Sequence, residues 1–66
     1  MHVTVNGETL ELEADLPLLR LLERLGKEPA HVAIERNGDI MDREQMATAV
    51  LCENDRLEIV HFVGGG

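Results

Sequence analysis

Leu18, Leu21, Leu22 and Leu25 recur at i, i+3, i+4 and i+7 in the segment DLPLLRLLERLG, with Leu19 beside them. That spacing lines one face of a helix and predicts a single amphipathic helix of about three turns. Asp15 is placed to cap its start, Pro17 suits a first turn whose amides lack partners anyway, and Gly26 suits a left-handed stop. One apolar stripe on one helix needs one surface to bury it. The rest of the chain has to supply that surface.

The flanking segments change period from about 3.6 to 2. HVTVNGETLELE alternates through Val3 and Val5, breaks at Asn6-Gly7, and alternates again through Leu10 and Leu12. Both residues of an Asn-Gly pair tolerate positive φ, so the pair predicts an antiparallel hairpin. HVAIERNGDIM predicts a third strand through Val32 and Ile34, a second Asn-Gly turn at Asn37-Gly38, and a short return through Ile40 and Met41. DREQMATAVL holds helix formers and predicts a turn or short helix. ENDRLEIVHFV opens on turn residues and continues as a last strand. The economical arrangement is α+β, a twisted sheet wrapped over one main helix. A parallel pairing of the first and last strands at its centre would make it a β-grasp.

Size and charge narrow the functions. A chain of 66 residues has room for one small core and none for a deep substrate pocket. Aromatics are only 2% of the chain, with Phe62 the sole example, so aliphatic side chains must do the packing. Thirteen acids against six bases give a net charge of −7, which disfavours nucleic acid and anionic membranes and favours partners with basic surfaces. One cysteine cannot form an internal disulfide, and the start MHVTVNGE lacks the basic and apolar blocks of a signal peptide. A cytoplasmic protein without a membrane span is expected.

Side-chain chemistry is sparse. His2, His31 and His61 are scattered, serine is absent, and neither a Cys-x-x-Cys nor a paired-histidine spacing occurs, so no catalytic or metal-binding constellation is predicted. Cys52 is expected to be a small buried hydrophobe. Glu8, Glu11 and Glu13 are expected on the solvated outer face of the second strand. The glycines at 64–66 have no following helix and so cannot form a phosphate loop.

The last strand is more informative. If Leu57 and Ile59 face the helix, Glu58, Val60 and Phe62 face away, which puts Val60 and the lone aromatic beside the glycines as a candidate docking patch. A bulge near His61 would instead turn Phe62 inward.

VTVNG, LLERLG, VAIERNGDIM and NDRLEIVHFVGGG, in this order and spacing, resemble the ubiquitin-like sulfur carrier family, and within it the ThiS-type carriers of the thiamine pathway. The chain departs from that pattern at Pro17, where a Thr or Ser cap is common, at Asp42 and Met46, which replace Pro and Trp around a retained Arg43, and at Glu53-Asn54-Asp55, which replaces Asp-Gly-Asp. The resemblance implies a β-grasp domain over 1–63 and a flexible tail over 64–66. It implies that the chain is no enzyme and binds no cofactor of its own. A partner related to ubiquitin-activating enzymes (ThiF-like), using ATP and Mg, would join the Gly66 carboxylate to AMP. A persulfide enzyme would supply sulfur to give a thiocarboxylate, and thiazole synthase (ThiG-like) would receive it.

The residues suit that chemistry. A carboxylate resists nucleophiles until it is activated, Gly66 offers its carbonyl without a side chain, and Gly64 and Gly65 let the backbone enter a narrow channel. Three residues reach about 10 Å when extended. Two alternatives remain at this level: a carrier for another pathway, such as molybdopterin synthesis, and a ubiquitin-fold interaction module with an inert tail.

Overall fold

Both Asn-Gly pairs turn the chain in the way their tolerance of positive φ dictates. Asn6 and Gly7 sit at φ 49° and 84°, and Asn37 and Gly38 at 52° and 90°, the signature of two-residue type I′ hairpin loops. The first loop joins β1 (His2–Val5) to β2 (Glu8–Glu11), and the second joins β3 (Val32–Arg36) to β4 (Asp39–Ile40). In the computed structural model, which describes residues 1–62, the final strand β5 (Asp55–His61) lies between the two hairpins. The sheet order is β2-β1-β5-β3-β4, with β1 and β5 parallel and every other pair antiparallel. This is the β-grasp topology of the α+β class.

Helix α1 (Leu18–Arg24) lays Leu18, Leu21 and Leu22 against the sheet, each with no exposed surface. Val3, Val5, Val32, Ile34, Leu57 and Ile59 meet them from β1, β3 and β5. Truncating any of the three leucines to alanine would cost about 2–5 kcal/mol at such a site. Leu16, Met46 and Leu51 close the core at its edge.

The helix is shorter than its leucine stripe predicts, seven residues or about two turns. Leu25 is its C-cap and stands 37% exposed, because the chain turns away at Gly26 with φ 70°. Lys27 N–H bonds to the Leu22 carbonyl and Gly26 N–H to that of Glu23, a Schellman closure that satisfies the last carbonyls.

The start of α1 also differs. Asp15 does not cap it: Pro17 occupies the N-cap position without a side-chain bond, and Asp15 lies in the preceding turn at φ 60°. A remote segment does the capping. Leu18 N–H donates to the Ala49 carbonyl at 3.0 Å, Leu51 N–H donates to the Leu16 carbonyl at 2.9 Å, and Pro17 and Val50 form an antiparallel bridge between them.

The ambiguous middle segment forms α2 (Arg43–Thr48), with a complete capping box. Asp42 Oδ1 accepts from Gln45 N–H and Gln45 Oε1 accepts from Asp42 N–H, each at 2.8 Å. Met46 is its buried residue, and Arg43 reaches back to the Pro29 and Ala30 carbonyls at 3.2 and 3.3 Å.

Two surface expectations fail. Cys52 is exposed, because the turn before β5 gives the buried position to Leu51 and leaves Sγ 3.6 Å from Arg36 Nη2. Nor do the three glutamates share a face. Glu8 pairs with Val5 and Glu11 with His2, residues of opposite parity on β1, and β2 ends at Glu11. Glu13 lies beyond the strand and forms a two-pronged ion pair with Arg24 at the end of α1, with one contact at 2.8 Å. The hydrogen bond from Arg24 holds the Glu13 carboxyl down at about 2.

Candidate functional site

Strand β5 joins the core to the glycine segment, and its first residue is locked in place. Asp55 is 6% exposed and is the chain's buried charged residue among those described. Its Oδ2 accepts from Arg36 Nη2 at 2.7 Å, Arg36 Nε at 3.1 Å and Cys52 N–H at 2.8 Å, while Oδ1 accepts from Asn37 Nδ2 at 3.0 Å. Burial pushes this carboxyl up, but the bonds from Asn37, Cys52 and Arg36 together outweigh it and hold the group below the ordinary aspartate range.

The turn asparagines hold β5 from both sides. Asn6 Oδ1 accepts from Ile59 N–H at 2.7 Å and its Nδ2 donates to the Ile59 carbonyl at 3.1 Å. On the other flank, Asn37 Oδ1 accepts from Arg56 N–H at 2.8 Å, and Asn37 N–H donates to the Arg56 carbonyl at 2.7 Å. Each side chain continues the ladder past the point where its own strand has turned away.

The far end of β5 is built differently. Pairing of His61 with Val32 and the bond from Phe62 N–H to the His31 carbonyl, at 3.0 Å, carry the sheet to its last described residues. Leu57 and Ile59 face the helix, at 1% and 5% exposure, whereas Val60 is 61% exposed and Phe62, one residue past the strand, is 41% exposed. The structure thus brings Val60 and Phe62 to the surface within four residues of Gly64. Gly64, Gly65 and Gly66 lie outside the described residues, as does the boundary expected between a domain and a tail.

Register adds residues that the sequence did not single out. Ala33 lies directly opposite Val60, Glu35 opposite Glu58, and Ile40 opposite Glu35, so all five share the outer face of the sheet. Ile40 is 78% exposed. The two-residue turn at Asn37-Gly38 could have revealed this, since it fixes Arg36 opposite Asp39 and hence Ile40 opposite Glu35. Between Ile40 and Val60 lies a cleft of about 90 Å³, with Ala33 at its base and Glu35 and Glu58 at its border, while Ile34, its side chain buried on the helix side, lines it with backbone.

A larger open hollow, about 400 Å³, lies between the β3–β4 hairpin and α2. Of its polar side chains, Arg36, Asn37, Gln45 and Thr48 are already engaged in internal bonds, which leaves a ligand Asp39 alone among them. Among the described residues no three His, Cys, Asp or Glu side chains come together as a metal site, and no helix is long and apolar enough to cross a membrane.

The ThiS family model matches residues 3–66, which includes the glycines. The chain belongs to the ThiS family. It is 38% identical over 63 residues to the sulfur carrier protein ThiS of Bacillus subtilis, covering 94% of this chain and 96% of that one. A crystal structure of the ThiS protein of Geobacter metallireducens superposes with a TM-score of 0.81 over all of both chains at 30% identity. The chain is also 44% identical, along its whole length, to part of a thiazole synthase from Magnetococcus marinus. It spans about 20% of the length of that relative and of a second thiazole synthase, from Paramagnetospirillum magneticum.

Proposed function

We propose that this ThiS-family protein carries sulfur for thiamine biosynthesis on the carboxyl group of Gly66. The observation that carries this reading is the family match running through residue 66, on a fold that surfaces two apolar side chains, Val60 in the last strand and Phe62 just past it, shortly before the glycines. An ATP-dependent activating enzyme would dock on Val60 and Phe62 and take Gly64–Gly66 into its active site. The Gly66 carboxylate attacks the α-phosphate of ATP, releasing pyrophosphate and leaving a mixed anhydride with AMP. The outer sulfur of a persulfide then attacks the acyl carbon and displaces AMP, and a second thiol cleaves the persulfide's own sulfur–sulfur bond, forming a disulfide with the donor and leaving a thiocarboxylate. The protein's own side chains take no part in bond making; the domain serves as the surface by which the enzyme recognises the right carboxylate.

Two relatives named thiazole synthase contain a stretch like this chain, which supports thiazole synthase as the acceptor over a molybdopterin-type partner. The test is intact mass after incubation with the activating enzyme, ATP and a sulfur donor. The expected result is replacement of one oxygen by sulfur, lost when Gly65 and Gly66 are deleted although the domain still melts cooperatively. A wild-type mass that stays unchanged, with the same enzyme active on another carrier, refutes the proposal. Full function of the deletion would favour an interaction module instead.

A further inference from the structure

The outer face of the sheet places two carboxylates side by side with no counter-charge. Glu35 and Glu58 are directly opposite one another on antiparallel strands, an arrangement that destabilises a sheet by itself. Among the described residues neither side chain has an ion-pair or hydrogen-bond partner, although Arg56 lies only two positions from Glu58 on the same face of β5. Beside them is the narrow cleft walled by Ile40 and Val60, with Ala33 at its base. An apolar slot ending at two negative groups matches one kind of side chain: a long aliphatic stem with a cationic head.

We infer that this cleft is a socket for a basic side chain of the activating enzyme, with its stem between Ile40 and Val60 and its head between Glu35 and Glu58. Arginine fits best, since its planar fork can serve two carboxylates at once where lysine presents a single point charge. The net charge of −7 favours approach of such a surface, and the socket then sets its register relative to Phe62 and the glycines. Val60 belongs to both the docking patch and the socket wall, so the inference rests on the proposal that this face docks the activating enzyme.

The test is the affinity for that enzyme without ATP, measured by titration calorimetry at about 0.1 M salt and again at about 0.5 M, where exposed charges are largely screened. The double variant Glu35→Gln, Glu58→Gln keeps the shape and removes both charges. Its Kd should rise about tenfold at the lower salt and approach the wild-type value at the higher. Its melting temperature alone should stay level or rise, since cross-strand repulsion is relieved. A merely structural role for the pair would lower both together.

An unchanged Kd overturns the socket. So does an equal loss from Glu8→Gln, Glu11→Gln on the opposite sheet edge, which would show general charge steering, and so does failure of the wild type to bind. Charge-dependent binding without thiocarboxylate formation would leave the socket standing and refute the proposed carrier chemistry alone.

Discussion

The two ends of β5, a strand of seven residues, obey opposite rules. At Asp55 every hydrogen-bonding capacity turned toward the protein is met, by Arg36, Asn37 and Cys52, and the side chain is buried. At Val60 and Phe62 apolar side chains stand in solvent, although a small domain has every reason to bury them. The first end contributes stability and touches nothing outside. The second contributes little stability and is where a partner would come. On the proposed function, a strand that offers the following glycines to another protein needs one fixed end to define direction and one open end to be gripped.

The comparison breaks most decisively at the fixed end. Asp55→Ala leaves the Arg36 guanidinium, the Asn37 amide and the Cys52 N–H without their acceptor, at a cost of about 3 kcal/mol. For a domain this small that is a fall in Tm of more than about 10 °C by circular dichroism. Transfer of sulfur measured well below the new Tm should be unaffected; a shift under about 4 °C would mean the network is not what holds β5.

The same end sets a pH dependence. Because the native Asp55 carboxyl lies below its unfolded range near 4, its contribution is complete above that range and disappears as pH falls through the native value. Stability of wild type should therefore drop on acidification more steeply than that of Asp55→Asn, compared by denaturant titrations between about pH 6 and 3. Parallel curves would assign acid sensitivity to other groups.

A middle case sharpens the contrast. Asn6→Gly keeps a dipeptide suited to the hairpin turn but removes both side-chain bonds to Ile59, costing about 1–2 kcal/mol. If stability is unchanged, asparagine is there for the turn alone and not for the clasp.

At the open end the sign pattern reverses. Phe62→Asp should raise the KM for activation about tenfold, roughly 1.4 kcal/mol, while shifting Tm by no more than about 2 °C. Unchanged kinetics would remove Phe62 from the docking face. The smallest effect is expected far from both ends, at the exposed Glu13–Arg24 pair: Glu13→Gln should lower Tm slightly at neutral pH, with the difference vanishing as pH approaches about 2.

Much of the fold was legible in short stretches. Each Asn-Gly pair announced a hairpin because local φ preference decides a two-residue turn, and the leucine period announced α1 because burial of one face decides a helix. The exposure of Val60 followed from strand period alone. What stayed hidden depends on distant residues. Asp15 looked like a cap and is not one, because Ala49 from a remote segment supplies the acceptor that Leu18 needs. Cys52 has the composition of a core residue, but parity at the turn gave the core to Leu51. The cleft between Ile40 and Val60 draws on three strands, and no window on one segment contains it.

The amino-acid sequence by itself determined the elements, the turns that join them and the glycine segment on which the proposed chemistry rests, since these follow from torsional freedom and apolar period within a few residues. The tertiary structure decided which asparagine clasps which strand, where the buried carboxylate finds its partners and which side chains share the open face. Those are matters of register between strands up to 53 positions apart in the chain, as with Asn6 and Ile59, and register is set only when the whole sheet closes over the helix.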